Sequence, residues 1–175
     1  MKSFVKLVIA AMMAALTCIA TMVIAVPSPT GGFIHPGDGF VILSGIILGP
    51  FFGGLAAGIG SMLADILLGY TNFALATLII KALAAIISYY TYKVMRGKLR
   101  IVIAGLLGGV TVTIGYFIFE SLLMGSGLAA AALGITFNLV QNTFGIIISV
   151  LLYPLLLKVP QINNIMGGSE TSTRK

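Results

Sequence analysis

Acidic groups, thiols and imidazoles are all scarce in this chain. Its 175 residues include only four aspartates and glutamates, one histidine and one cysteine. Cys18 lies inside an apolar stretch with no partner in the chain, so a disulfide framework is excluded and the thiol reads as a small buried hydrophobe. One histidine with scattered carboxylates makes no metal site. No nucleophile–base arrangement, phosphate loop or nucleotide motif occurs, which speaks against an enzyme, against a cofactor and against ATP binding by this chain. Charge is equally thin: 8% of residues are charged and 59% are hydrophobic, with mean hydropathy +1.14. A soluble domain of this length cannot hide so much apolar side chain, so the expected class is an all-α integral membrane protein.

The basic residues present outnumber the acidic ones, for a formal net charge of +6. They form no patch of the kind that binds nucleic acid. Apart from Lys81, they fall at Lys2 and Lys6, then Lys93, Arg96, Lys98 and Arg100, then Lys158, Arg174 and Lys175. Two ends and one short loop carry them, which is the positive-inside pattern of a multi-pass protein. The basic start and the run VIAAMMAALTCIA resemble a secretory signal. Leu16-Thr17-Cys18 is a poor lipoprotein box, and the apolar run continues to Val26, so a retained first span is expected.

The stretch from Gly31 to Tyr70 decides the topology. After the polar turn that holds His35 and Asp38, it runs apolar for roughly thirty residues, broken only at Gly49-Pro50. One helix of that length would measure about 45 Å, well beyond a hydrocarbon core of ~30 Å. Proline also disfavours a continuing helix and bends the residue before it out of helical geometry. Two short helices are therefore expected, 40–48 and 51–69. The other spans read as 6–26, 73–92, 101–124 and 134–157, making one six-helix domain over 1–159 with a polar, disordered tail over 160–175. Pro27-Ser28-Pro29-Thr30-Gly31-Gly32 reads as loop, without helix or strand. With six spans all three basic clusters and both termini face the cytoplasm; with five, the basic loop and the tail would face opposite to the N-terminal lysines.

That topology sorts the polar residues by depth. The His35/Asp38 loop faces outward, Glu120 lies about a turn below the outer surface, and Asn138, Gln141 and Asn142 fall one to two turns below it. Lys81 is near mid-membrane. Ionisable groups in a bilayer cost about 2.5–3.5 kcal/mol each on insertion scales and mark a site, a pathway or an internal pair. Asp65 and Lys81 can form a structural ion pair between neighbouring helices, or Lys81 can contact a ligand. Asn138 and Asn142 share one helix face with Gln141 beside them, while Tyr116 and Glu120 share another. These could hold a small polar heterocycle between walls of Tyr116, Phe117, Phe119 and Phe137, or merely glue helices together. Asp38 could equally cap the second helix. In the first span Ala10/Ala14 and Ala11/Ala15 are overlapping small-residue pairs that permit close helix approach, and the run through Gly53, Gly54, Ala57, Gly58 and Gly60 offers another such surface.

The IHPGDGF segment, the run IILGPFFGGLAAGIGSMLADILLGY and TLIIKAL, with the alanine pairs of span one, resemble the substrate-binding S component of an energy-coupling factor (ECF) transporter. The likeness runs to about Val159 and sits nearest the branch associated with hydroxymethylpyrimidine or pyridoxine-like vitamins, some members of which carry riboflavin. It implies a vitamin bound from outside, with pyridoxine or hydroxymethylpyrimidine favoured and riboflavin next. The site residues would be Glu120, Asn138 and Asn142, then His35, Asp38, Lys81, Tyr116 and Gln141, with the loop from Pro27 to Gly39 as gate. It also implies docking through Ala10/Ala14 or Ala11/Ala15 onto a membrane coupling subunit driven by two cytoplasmic ATPases, in a cell membrane of bacterial type. A stand-alone secondary transporter and a ligand-free structural protein are the competing readings; no inverted repeat supports the former.

Overall fold

The structure, a computed structural model, describes residues 2–28 and 31–171, with backbone alone for Lys2 and residues 168–171. It is all-helical apart from one minimal hairpin. The order is α1 (Lys2–Val23), β1 (Val26–Pro27), β2 (Phe33–Ile34), α2 (Asp38–Leu48), α3 (Pro50–Leu67), α4 (Thr71–Val94), α5 (Arg100–Ile118), a π-helical turn (Phe119–Leu123), α6 (Leu128–Leu156) and α7 (Pro160–Thr171). Five of these, α1, α3, α4, α5 with its π turn, and α6, are long and apolar enough to cross a membrane, and α2 is a shorter apolar helix. The surface fits that solvent: Phe4, Leu75, Leu122 and Leu123 are among many large apolar side chains left exposed. Water would not tolerate such a belt on a monomer, whereas lipid tails would.

The break at Gly49-Pro50 is where the sequence placed it. Gly49 adopts φ +84°, a left-handed conformation that a side chain would strain, and Pro50 starts α3 at the position where its missing N–H is no loss. This leaves α2 at eleven residues, about 16 Å, so it is not a sixth helix of spanning length. It is instead the hub of the bundle. Ten of its eleven residues are buried, and it packs on α3, α4, α6 and α1. Because α2 is wrapped in protein, its ends can terminate inside the membrane without exposing backbone to lipid.

Close approach between helices depends on glycine. A Cβ on Gly45 of α2 would lie 2.0 Å from the Ala85 carbonyl oxygen of α4, and one on Gly53 of α3 would lie 2.3 Å from that of Ser44. Gly60 meets the Ala14 carbonyl of α1 in the same way, at 2.4 Å. The small-residue run of α3 is thus an internal packing surface, used on α1, α2 and α4.

Four local expectations change. Pro27, expected in open loop, is paired with Phe33 in the β1–β2 hairpin; Pro29 and Thr30 lie outside the described residues. The helix α6 starts at Leu128 rather than Gly134, because the intervening LAAAAL segment consists of strong helix formers. The end of span five is a π turn, closed by the Met124 N–H on the Phe119 carbonyl at 2.9 Å. Finally, the polar tail carries a helix. In α7, Ile162, Ile165 and Met166 recur at helical spacing and pack on the core beside α1 and α2, and Pro160 opens it. Arg174 and Lys175 lie outside the described residues.

Candidate functional site

At the N-terminal end of α2 the chain buries most of its scarce polar chemistry. Lys81, on the tenth residue after the start of α4, is 0% exposed and donates to Asp38 Oδ1 at 2.5 Å. This is the only ion pair among the described residues. The Asp65–Lys81 pair, one of the two readings the sequence allowed, does not form. Nor does Asp38 cap α2: it is the first helical residue, after Gly37, and its side chain turns inward. Its second oxygen accepts from Gln141 Nε2 at 2.8 Å. Gln141 in turn accepts the His35 backbone N–H at 3.0 Å, so one amide of α6 ties the hairpin segment to α2. The Lys81 ammonium also stands 5.4 Å from the Tyr116 ring centroid, on its face.

His35 sits beneath the hairpin, 8% exposed, with Nδ1 accepting the Gly37 N–H at 3.1 Å. Burial, and then the neighbouring Lys81 charge, push its imidazole down from 6.5 to about 3, so the ring is neutral at physiological pH. It therefore contributes an N–H and an aromatic face, not a charge.

A second polar line runs alongside. Tyr116 and Thr77 hydroxyls lie 2.8 Å apart, and Asp65 lines the same cavity as both. Either hydroxyl can donate in this pair. One carboxylate oxygen, Asp65 Oδ2, is buried without a hydrogen-bond partner. The cavity that Asp65 lines measures about 30 Å³, enough for a water-sized group. Around that cavity stand Phe33 and His35 from the hairpin side, Phe73, Thr77 and Tyr116 from α4 and α5, and Asn138 and Gln141 from α6. Phe33 is in ring contact with Tyr70 at 4.5 Å, which holds the hairpin down over the opening.

Of the residues nominated from sequence, His35, Asp38, Lys81, Tyr116 and Gln141 come together here. Asn138 lines the cavity while donating to its own helix at the Gly134 carbonyl, 3.0 Å away. Asn142, one residue from Gln141, points elsewhere: its amide donates to the Gly109 carbonyl at 2.7 Å and to Thr113 Oγ1 at 3.0 Å, bonding α6 to α5. Glu120 is buried in the π turn, outside the cavity lining though near enough to Tyr116 to act on it electrostatically. Among the nominated walls only Tyr116 lines the cavity; Phe119 packs behind it on Phe73, with centroids 5.4 Å apart. Phe33, Asp65, Phe73 and Thr77 were not nominated as site residues. Phe73, Thr77 and Lys81 do recur every four residues, which places them on one face of α4. The alanines of α1 divide by face. Ala10 is buried and Ala14 packs against Gly60, while Ala11 and Ala15 are exposed on the outer side. Among the described residues no group of His, Cys, Asp and Glu could hold a metal.

Comparison with known proteins gives three findings. The sequence model of the family described as "ECF-type riboflavin transporter, S component" matches residues 1–158. A protein of Pyrococcus woesei, described as the uncharacterized protein in the gap 3' region, is 36% identical over 132 residues, which is 74% of this chain and 86% of that one. The solved structure titled "Structure and mechanism of the S component of a bacterial ECF transporter" has the same fold at TM-score 0.67, covering 87% of this chain and 95% of that chain at 20% identity.

Proposed function

Because the chain belongs to the ECF-type riboflavin transporter S component family, a membrane-embedded, vitamin-uptake family rather than an enzyme family, we propose that the cluster under the hairpin is the site where it captures its vitamin. The observation that carries this reading is Asp65. The residue lines the cavity and its Oδ2 is buried without a donor, which is costly in a membrane protein unless a ligand supplies one. Asn138 beside it offers a second polar contact, and Phe33, Phe73 and Tyr116 offer ring faces for a planar heterocycle. Lys81, Asp38 and Gln141 form the floor.

The family description moves riboflavin to first place among the candidate vitamins, ahead of pyridoxine and hydroxymethylpyrimidine. Any of these is far larger than the present cavity, so entry requires the hairpin segment ahead of α2 to lift, with Phe33 leaving Tyr70. In the proposed topology α2 makes the sixth crossing, a short one. Its N-terminus opens to the outside at the bottom of a well, and its C-terminus meets the cytoplasmic side beside Lys6, Lys93, Arg96 and Arg100, which line one cavity there. Both termini are then cytoplasmic and the protein sits in the cell membrane. Membership implies partnership with an ECF module of coupling and ATPase subunits, so ATP is consumed by those subunits. The exposed pair Ala11/Ala15 is the proposed contact with the coupling subunit, since Ala10/Ala14 is already spent inside the bundle.

Calorimetric titration of the purified chain with riboflavin, pyridoxine, hydroxymethylpyrimidine, thiamin and pantothenate tests the reading. One of them binds one-to-one, and Asp65→Asn weakens it by about 10- to 150-fold, the value of a hydrogen bond to a charged group, at nearly unchanged thermal stability. Equal affinity in the Asp65→Asn variant would sink the assignment of this cavity. Binding of no vitamin at all would favour a structural role for the polar cluster.

A further inference from the structure

We infer that the opposite end of the bundle holds a binding site for one anionic phospholipid, independent of the vitamin site. A cavity of about 960 Å³ opens there, far larger than the one under the hairpin. Four cations from three separate parts of the chain converge on it: Lys6 of α1, Lys93 and Arg96 at the end of α4, and Arg100 at the start of α5. Two of them lie over aromatic faces. Lys93 Nζ is 5.7 Å from the Tyr89 ring centroid and the Arg100 guanidinium 4.3 Å from that of Tyr92. These contacts hold the charges in place without neutralising them.

No carboxylate among the described side chains lines the cavity or pairs with these cations. Asp38, Asp65 and Glu120 are committed to the other end, and the side chain of Glu170, the fourth acidic residue, is outside those described. Like charges gathered at one cavity repel one another and ask for an anion. The shape specifies which kind. Much of the remaining lining is apolar, with Ile47, Leu48 and Phe52 from α2 and α3 and Ile165 and Met166 from α7, and it includes Phe51, which is 68% exposed. A headgroup phosphate can sit among Lys93, Arg96 and Arg100 while the acyl chain leaves over Phe51 into the bilayer. A free phosphate would use the cations and leave the apolar wall uncovered. Basic pockets between membrane helices bind anionic headgroups in this manner, at about 1 kcal/mol per Lys or Arg near the surface.

Retention of phosphatidylglycerol against phosphatidylcholine, counted by native mass spectrometry and by the thermal shift in mixed micelles at equal mole fraction, tests the site. The variants are Lys93→Gln/Arg96→Gln, whose side chains are exposed and make no ion pair, and Lys98→Gln, an exposed cation of the same loop that does not line the cavity. The wild type retains phosphatidylglycerol preferentially. The double variant binds it about 30-fold more weakly, roughly fivefold per cation removed, and Lys98→Gln stays near wild type. Equal retention of the two lipids by the wild type overturns the proposal without any variant. So does an unchanged double variant, a Lys98→Gln loss as large as the double's, or reproduction of the shift by inorganic phosphate alone. A requirement for these cations only in assembly with a coupling subunit, with no lipid effect, would make the cavity a protein-docking surface and refute the lipid site.

Discussion

Breaking the Lys81–Asp38 pair from either side should harm the protein far more than removing both charges together. Lys81 is fully buried and Asp38 nearly so, with a 2.5 Å contact between them. In Lys81→Met the Asp38 carboxylate keeps only the Gln141 amide and loses its countercharge. In Asp38→Asn the ammonium is left against the Tyr116 ring and a neutral amide. An uncompensated buried charge costs about 3–5 kcal/mol, whereas replacing a buried pair by neutral groups is often close to neutral. Each single variant should therefore lose about 6–20 °C of thermal stability at roughly 2–4 °C per kcal/mol for a chain of this length. The double variant Asp38→Asn/Lys81→Met keeps the Gln141 bond through the new carbonyl and should recover more than half of that loss. The assay is a double-mutant cycle on the temperature at which monodisperse protein disappears from size exclusion in detergent. A strictly additive double variant, or single variants within 1 kcal/mol of wild type, would refute the reasoning, since either result means the charges are not coupled in a dry interior.

Three further outcomes follow from the same geometry. His35 binds its proton only near pH 3 when folded but near 6.5 when unfolded, so the unfolded chain carries the extra proton between those values and stability rises with pH across that window. Acidifying from pH 6.5 to 5 should cost about 2 kcal/mol; the profile of His35→Asn, which keeps an acceptor for Gly37 and cannot titrate, should be flatter by that amount, and an identical acid loss in both would contradict the burial. Gly45→Ala drives a methyl into the Ala85 carbonyl and should destabilise by about 1–3 kcal/mol, measurable by the same thermal assay; a neutral effect would mean α2 and α4 are farther apart than described. Ala11→Leu on the exposed face of α1 should leave folding and vitamin binding intact while abolishing co-purification with the coupling subunit. Ala10→Leu, on the buried face, should lower stability instead, and the reverse pattern would reassign the docking face.

Much of this protein was legible in its amino-acid sequence because the relevant physics is local or compositional. Apolar runs, a Gly49-Pro50 break and basic residues that, Lys81 apart, fall at the ends and in one loop are enough to specify a multi-helix membrane protein and where most of its helices stop. Depth along each helix was legible as well, since 1.5 Å per residue converts position into height; His35, Lys81, Tyr116 and Gln141 were nominated through the family resemblance, and the structure brings them together. Rotation was not. Periodicity relates residues on one helix but says nothing of which neighbour each face meets, and only packing decides that. Asp65 and Lys81 sit on consecutive helices, yet Lys81 reaches Asp38, because α2 occupies the centre of the bundle. Asn142 and Gln141 are adjacent, yet one bonds α5 and the other the hairpin and α2, because successive residues point about 100° apart. The two alanine pairs of α1 were equivalent as patterns and are divided only by the position of α3. The helix α7 escaped notice because its few apolar residues acquire a purpose only when α1 and α2 lie beneath them.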